Sequence, residues 1–276
     1  KDPLTYEKNS REIYKRVEIM RPKRIILIIL TVILAYSAYK VWDHYREAFD
    51  NKAMYDNLRQ EYYDNAPPVE APAKPPAEPP VVEEEIDKPP AVMERYLPLF
   101  KINSDIIGWI NIQGTAIDYP VLKTFNNEYY LTHDITRQQS KNGAIFMDYR
   151  NKGDGTDRHT IIYGHNMRNN TMFEDLMKYK KKDFFEQNGI IKFDTLFEEF
   201  EWEIFSVYVT DTNFYYIETD FDSDEEYVEF LHTIKEKSMF DRDVNLTKED
   251  YLLTLSTCTY EFKDARFVVH ARRLNN

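Results

Sequence analysis

The sequence predicts a mostly β protein, an eight-stranded barrel with peripheral helices, preceded by one membrane-spanning helix. Three observations predict it. Short β-branched runs recur at 108–112, 116–121, 144–148, 160–163, 189–193, 201–210, 251–257 and 267–272, the number that closes a small barrel. Helix-compatible stretches intervene at 92–102, 172–185 and 224–236, the last with Tyr227, Phe230, Leu231 and Ile234 on one stripe. Ahead of all of them, residues 25–39 are uncharged and mostly apolar.

The elements follow in chain order. Residues 1–24 form a short basic lead-in ending in Arg21, Lys23 and Arg24. The apolar run extends through Val41 and Trp42, so 25–42 makes a helix of about 27 Å, just enough to span a bilayer. Tyr36, Tyr39 and Trp42 suit an aromatic belt, and Lys40 can snorkel to the interface. No small-residue cleavage site follows, so the run reads as a retained signal anchor. Basic residues before it place 1–24 in the cytoplasm and the rest of the chain outside. A buried core helix is the alternative, but no apolar partner helix is evident.

Residues 43–65 follow as a juxtamembrane helix, with Phe49, Met54, Tyr55, Leu58 and Tyr62 at loose helical spacing. Composition then shifts abruptly: nine of the thirteen prolines lie in 66–90. Such a segment cannot bury a core, and 66–91 reads as an extended stalk of about 75 Å at about 3.1 Å per residue. A plain spacer or a partner-binding proline tract is the other reading. From 92 to 276 roughly 185 residues remain, enough for one domain with a sizeable core.

Charge and cysteine count narrow the function. A net charge of −12 argues against nucleic acid as a partner, which needs a basic footprint. The acidic surplus raises the question of calcium. However, no Asp-x-Asp-x-Asp-Gly loop occurs, and Gly153-Asp154-Gly155-Thr156-Asp157 reads as a turn. The single cysteine, Cys258, can form no internal disulfide and supplies only one ligand of a zinc tetrad. It is either a small buried hydrophobe or a nucleophile, and a nucleophile needs a base and positive charge nearby.

Both candidates are present. Of the six histidines, His44, His133, His159, His232 and His270 read as surface or packing residues. His165 differs, because it follows the strand Thr160-Ile161-Ile162-Tyr163 and Gly164, whose freedom to turn would project it onto an open face. Arg266 opens the last strand after a polar connection, and a hairpin-like return would bring it beside Cys258. Its guanidinium suits a substrate carbonyl or an oxyanion. A structural histidine, and an arginine paired with Glu261 or Asp264 at the barrel rim, are the alternatives.

The run Thr254-Leu255-Ser256-Thr257-Cys258, then Arg266-Phe267-Val268-Val269, with Tyr163-Gly164-His165-Asn166 upstream, resembles the sortases, and more narrowly their class B. Blocks at 102–110, 117–121, 129–131 and 143–148 extend the resemblance from about Val92 to the C-terminus. It implies a sortase-type barrel and a membrane-anchored cysteine transpeptidase, extracellular on a Gram-positive cell. Cys258 would attack an Asn-Pro-x-Thr-type signal of a secreted surface protein after the threonine, forming a thioester. His165 would serve the leaving and incoming amines, and Arg266 the signal and the oxyanion. The acceptor would be an amine of peptidoglycan or its lipid-linked precursor. No cofactor or metal is needed. Ser256, two residues before Cys258 on the same strand face, is a candidate substrate contact. The insertion 220–245 is implied to flank the substrate groove. A pilus-assembling sortase with a pilin lysine as acceptor, and a non-catalytic surface module, stay open.

Overall fold

The computed structural model describes residues 22–67 and 91–274. Its strands are β1 (Ile106–Ile112), β2 (Asp118–Leu122), β3 (Phe146–Met147), β4 (His159–Tyr163), β5 (Asn166–Met167), β6 (Thr171–Met172), β7 (Ile190–Thr195), β8 (Glu201–Thr210), β9 (Leu252–Cys258) and β10 (Arg266–Arg273). Eight of them close a barrel in the order β1-β2-β3-β4-β9-β10-β8-β7, and β5-β6 form a separate hairpin. The β2-β3 and β4-β9 pairs are parallel and the others antiparallel. Closure leaves the barrel itself without a free edge among the described residues.

The expected run at 201–210 is β8 itself, while the run at 144–148 contracts to two paired residues. Helices differ more. The stretch 92–102 forms two 3-10 turns, Glu94–Tyr96 and Leu99–Lys101, because Pro98 between them has no N–H to continue a helix. The stretch 172–185 becomes a 3-10 segment, Glu174–Lys180, then a short helix α2, Lys182–Gln187. Helix α3, Asp224–Glu236, forms where the apolar stripe places it. The Ser223 hydroxyl caps it by accepting from Glu226 N, and Glu226 reaches back to Asp222 N at 2.7 Å. Asp224, Glu225 and Glu226 in the first turn complement its dipole.

One helix, α1, runs unbroken over Pro22–Asp64, with no separate juxtamembrane helix at 43–65. It is long and apolar enough to cross a membrane, and Ile26, Leu27 and Leu34 along it are exposed. The chain divides into two compact units, one ending at Met54 and one spanning Tyr55–Asn276. The last turns of α1 therefore belong to the barrel's unit, which begins well before residue 92. There Tyr55, Leu58 and Tyr62 are buried, and Tyr62 stacks on Trp109 of β1 at 4.1 Å. The Tyr62 hydroxyl donates to Asp194 of β7 at 2.8 Å. Most of the expected stalk, 68–90, and of the lead-in, 1–21, lies outside the described residues.

Leu252, Thr254, Ser256 and Cys258 share one face of β9. The β8-β9 connection covers most of that face: Leu252 packs in one cluster with Tyr227, Leu231 and Ile234 of α3, and Tyr216 reaches Ser256. Beneath the cover runs a buried chain of hydrogen bonds, His159 to Thr254 to His270 to Tyr208. The Gly153 to Asp157 loop is a turn, as its sequence predicts: the Asp157 carboxylate accepts from the backbone N–H groups of Lys152 and Gly153.

Candidate active site

Strand register assembles the site. In the β9-β10 ladder Arg266 lies directly opposite Cys258, so the hairpin return brings the guanidinium to the sulfur's neighbouring strand. On the other side β4 runs parallel to β9 with Tyr163 opposite Ser256. Two residues further along each strand stand His165 and Cys258. All three candidates therefore emerge at the same barrel end, and with Ser256 they line one cleft of about 410 Å³.

His165 is held from both sides. Its carbonyl accepts from Phe173 N at 2.9 Å, and its ring Nε2 donates to the Leu131 carbonyl at 2.7 Å. A carbonyl only accepts, so Nε2 carries the proton and Nδ1 is the nitrogen left for chemistry. Gly164 does not work as the sequence suggests. Its φ is not positive; the glycine is needed because a Cβ there would stand 2.4 Å from Ile145 Cδ1 and 2.8 Å from Phe173 Cγ. Close packing, and not a turn, aims the histidine.

Cys258 and Arg266 are both half-buried, as a nucleophile and its cation must be to meet a substrate. Among the described residues none hydrogen-bonds the thiol. The Cys258 carbonyl accepts from Asn166 Nδ2 at 2.9 Å, which ties the end of β9 to the residue after His165. Arg266 Nη1 donates to the carbonyls of Asp264 and Ala265 at 3.1 Å, and it forms no ion pair with Glu261 or Asp264 among the described residues. Glu261 pairs with Lys180 instead. The rim-pairing alternative for Arg266 is thus not what the structure shows.

Ser256 is buried, and its hydroxyl is bonded to Tyr216 OH at 2.8 Å. Burial raises the Tyr216 phenol above its ordinary pKa, against the opposing pull of the Ser256 bond and the Arg266 charge. The other wall residues were not legible as a motif. Leu131, Phe146 and Tyr163 line one side, and Phe214, Tyr216 and Ile217 from the β8-β9 connection line the other. Helix α3 itself does not line the cleft, so the part of the β8-β9 connection that flanks it is 212–217, ahead of the expected 220–245.

A pair formed by buried Asp148 and half-buried Arg150 braces the two walls. Asp148 accepts from Asn127 Nδ2 at 2.9 Å and from Tyr163 OH at 2.8 Å on one wall. Arg150, bonded to Asp148, donates to Tyr215 OH at 3.0 Å and to the Ile217 carbonyl at 2.9 Å on the other. Burial alone would raise the Asp148 carboxyl, but the bonds from Arg150 and Tyr163 outweigh it and hold it below the usual carboxylate range. A larger cavity, about 890 Å³ beside Tyr62, Trp109 and Asp194, lies across the barrel and contains none of the candidate residues.

Comparison with known proteins agrees with this geometry. A family model described as the sortase domain matches residues 110–274. The sortase B of Staphylococcus aureus is 37% identical over 258 residues, covering 92% of this chain and 98% of that protein. The sortase B of Listeria monocytogenes is 33% identical over 252 residues, covering 91% and 95%. Among solved structures, sortase B from B. anthracis in complex with AAEK1 has a TM-score of 0.70 at 36% identity, covering 84% of this chain and 100% of that one. A Staphylococcus aureus sortase B-substrate complex also has a TM-score of 0.70, at 35% identity, covering 83% and 98%. The barrel, the cleft at its end and these relatives together place the chain in the sortase family of cysteine transpeptidases, in class B.

Proposed function

We propose that this transpeptidase cleaves an Asn-Pro-x-Thr-type sorting signal after the threonine, through a thioester on Cys258, and passes the surface protein to an amine of peptidoglycan or its precursor. One observation carries the reading: Cys258, His165 and Arg266 arrive from three adjoining strand ends in a single cleft. The Cys258 thiolate attacks the threonine carbonyl. Arg266, directly across the ladder, stabilises the oxyanion and holds the signal. As the tetrahedral intermediate collapses, the C–N bond breaks and His165 protonates the leaving amine from Nδ1. The incoming amine then attacks the thioester, His165 takes its proton, and Cys258 departs as thiolate. The apolar cleft walls suit the signal's proline, and Ser256, through its bond to Tyr216, supports the wall next to the sulfur.

The exposed apolar stretch of α1, following Arg21, Lys23 and Arg24, supports a membrane anchor with the N-terminus in the cytoplasm and the barrel outside. The test is turnover of quenched Asn-Pro-x-Thr and Leu-Pro-x-Thr peptides by the wild type and by Cys258→Ala. Wild-type preference for the asparagine-led peptide, and none turned over by the variant, is expected. Equal turnover by the variant would end the nucleophile assignment, and preference for the leucine-led peptide would end the signal assignment.

A further inference from the structure

A second cleft, of about 390 Å³, adjoins the first, and the two share no lining residue. The boundary runs between consecutive residues twice. His165 lines the apolar cleft and Asn166 the second; Cys258 lines the apolar cleft and Thr259 the second. The second cleft thus begins where the two reacting side chains end. Asn166 Nδ2 ties its wall across that boundary by donating to the Cys258 carbonyl, and Tyr260 OH braces the second cleft itself by donating to the Asn166 carbonyl at 3.3 Å.

We propose that this second cleft receives the amine acceptor, and before it the leaving end of the signal. The inference rests on the reading that Cys258 carries the thioester. An acyl group held in the apolar cleft presents its carbonyl at Cys258. The bond that breaks, and the bond that later forms, must extend to the other side of the sulfur. Leaving amine and attacking amine occupy the same place, because one step is the chemical reverse of the other.

The lining changes character accordingly. Where the first cleft is mostly apolar, the second presents Arg168, Glu174, Lys180 and Glu261. Lys180 and Glu261 neutralise each other. Glu174 has no ion-pair partner among the described residues, since the neighbouring Lys178 is committed to Asp175 at 2.8 Å. Burial, then the charge and hydrogen bond of the adjacent Asp175, outweigh the Lys178 charge and hold the Glu174 carboxyl above its ordinary pKa. Arg168 likewise forms no ion pair among the described residues and lies 6.0 Å over the Tyr260 ring. An ammonium beside Glu174 and a carboxylate at Arg168 describe a short zwitterionic peptide. Such an acceptor is gathered by its charges, loses one ammonium proton to solvent and attacks as the free amine: its C–N bond forms, the thioester C–S bond breaks to leave the Cys258 thiolate, and the second proton passes to His165.

The experiment uses the full-length chain in detergent micelles, a sorting-signal peptide and four amine acceptors: triglycine and Nα-acetyl-lysine, each as free acid and as amide. Hydroxylamine, small enough to need no cleft, reports the thioester independently. Glu174→Gln should lower the ratio of peptide transfer to hydroxamate formation about ten-fold for every acceptor, through the acceptor KM. Arg168→Gln should raise the KM of the acids more than that of the amides. General damage to the site would slow hydroxamate formation equally and leave the ratio unmoved. Unchanged ratios in both variants, or transfer by the wild type to none of the four acceptors while hydroxamate forms, would overturn the assignment. Absence of hydroxamate with the wild type would instead overturn the thioester reading beneath it.

Discussion

Gly143→Ala should disable the enzyme more than it destabilises it. Gly143 sits at φ +57, and a Cβ there would lie 2.5 Å from the Tyr130 carbonyl oxygen, 2.9 Å from that of Leu131 and 3.1 Å from His165 Cδ2. The left-handed conformation costs an alanine about 1–2 kcal/mol, and overpacking adds about 1–3 kcal/mol. The first two obstacles are backbone atoms and cannot swing aside. One of them is the acceptor that fixes His165 Nε2. Restoring ordinary contact at Tyr130 O requires a shift of about 0.9 Å, from 2.5 Å to 3.4 Å, and a displacement near 1 Å at a reacting group costs about 10²-fold in rate. Gly153→Ala is the control: at φ +83 it bears the same conformational cost, but the nearest atom is the flexible Met147 Sδ at 3.3 Å, outside the cleft. The assay is kcat/KM on the signal peptide beside the urea midpoint of each variant. If Gly143→Ala turns over peptide within about two-fold of Gly153→Ala, the Leu131 carbonyl does not position the histidine.

Three further outcomes follow from the same contacts. Burial holds His159 down at about 4, below its unfolded value of 6.5, so the unfolded chain takes up a proton the folded chain refuses. The His159 contribution to stability is full above about pH 6.5 and falls by about 3 kcal/mol towards pH 4; buried His270, also held low, adds to the loss, and Asp194, which burial pushes up to about 6, partly offsets it. Urea titrations at pH 7 and pH 4.5 should show a smaller difference in His159→Gln, and an unchanged difference would contradict the assignment. A chain beginning at residue 92 should melt well below one beginning at 55, because it loses buried Tyr55, Leu58 and Tyr62, each worth up to about 1.5–3 kcal/mol; equal melting temperatures would deny the docking of α1. Arg266→Lys should retain a small fraction of the cleavage rate and His165→Ala less, with Cys258 still open to alkylation in both; near-wild-type cleavage by Arg266→Ala would remove the arginine from the mechanism, and near-wild-type cleavage by His165→Ala would remove the histidine.

Much of this site is legible in the chain because strand register is. Alternation in 251–257 and 267–272 with a short connection predicts a hairpin, and the hairpin alone sets Arg266 opposite Cys258. His165 is legible as the residue after a strand. What fixes its ring is not, since the Leu131 carbonyl and Gly143 come from irregular backbone about 20 to 35 positions away. The wall at 212–217 escapes for the same reason: aromatic residues on a loop have no period to read. The Asp148–Arg150 brace spans two walls that only the closed barrel brings together. Helix 92–102 fails at Pro98, where a local rule outweighs apolar spacing.

The most direct test of the central claim is the intact mass of the enzyme mixed with an Asn-Pro-x-Thr peptide and no acceptor. The expected species is a protein heavier by the cleaved signal, ending in its threonine as the free acid, less one water, released by hydroxylamine and absent in Cys258→Ala. Cleavage without any such adduct, or an adduct of the same mass on the alanine variant, would contradict it.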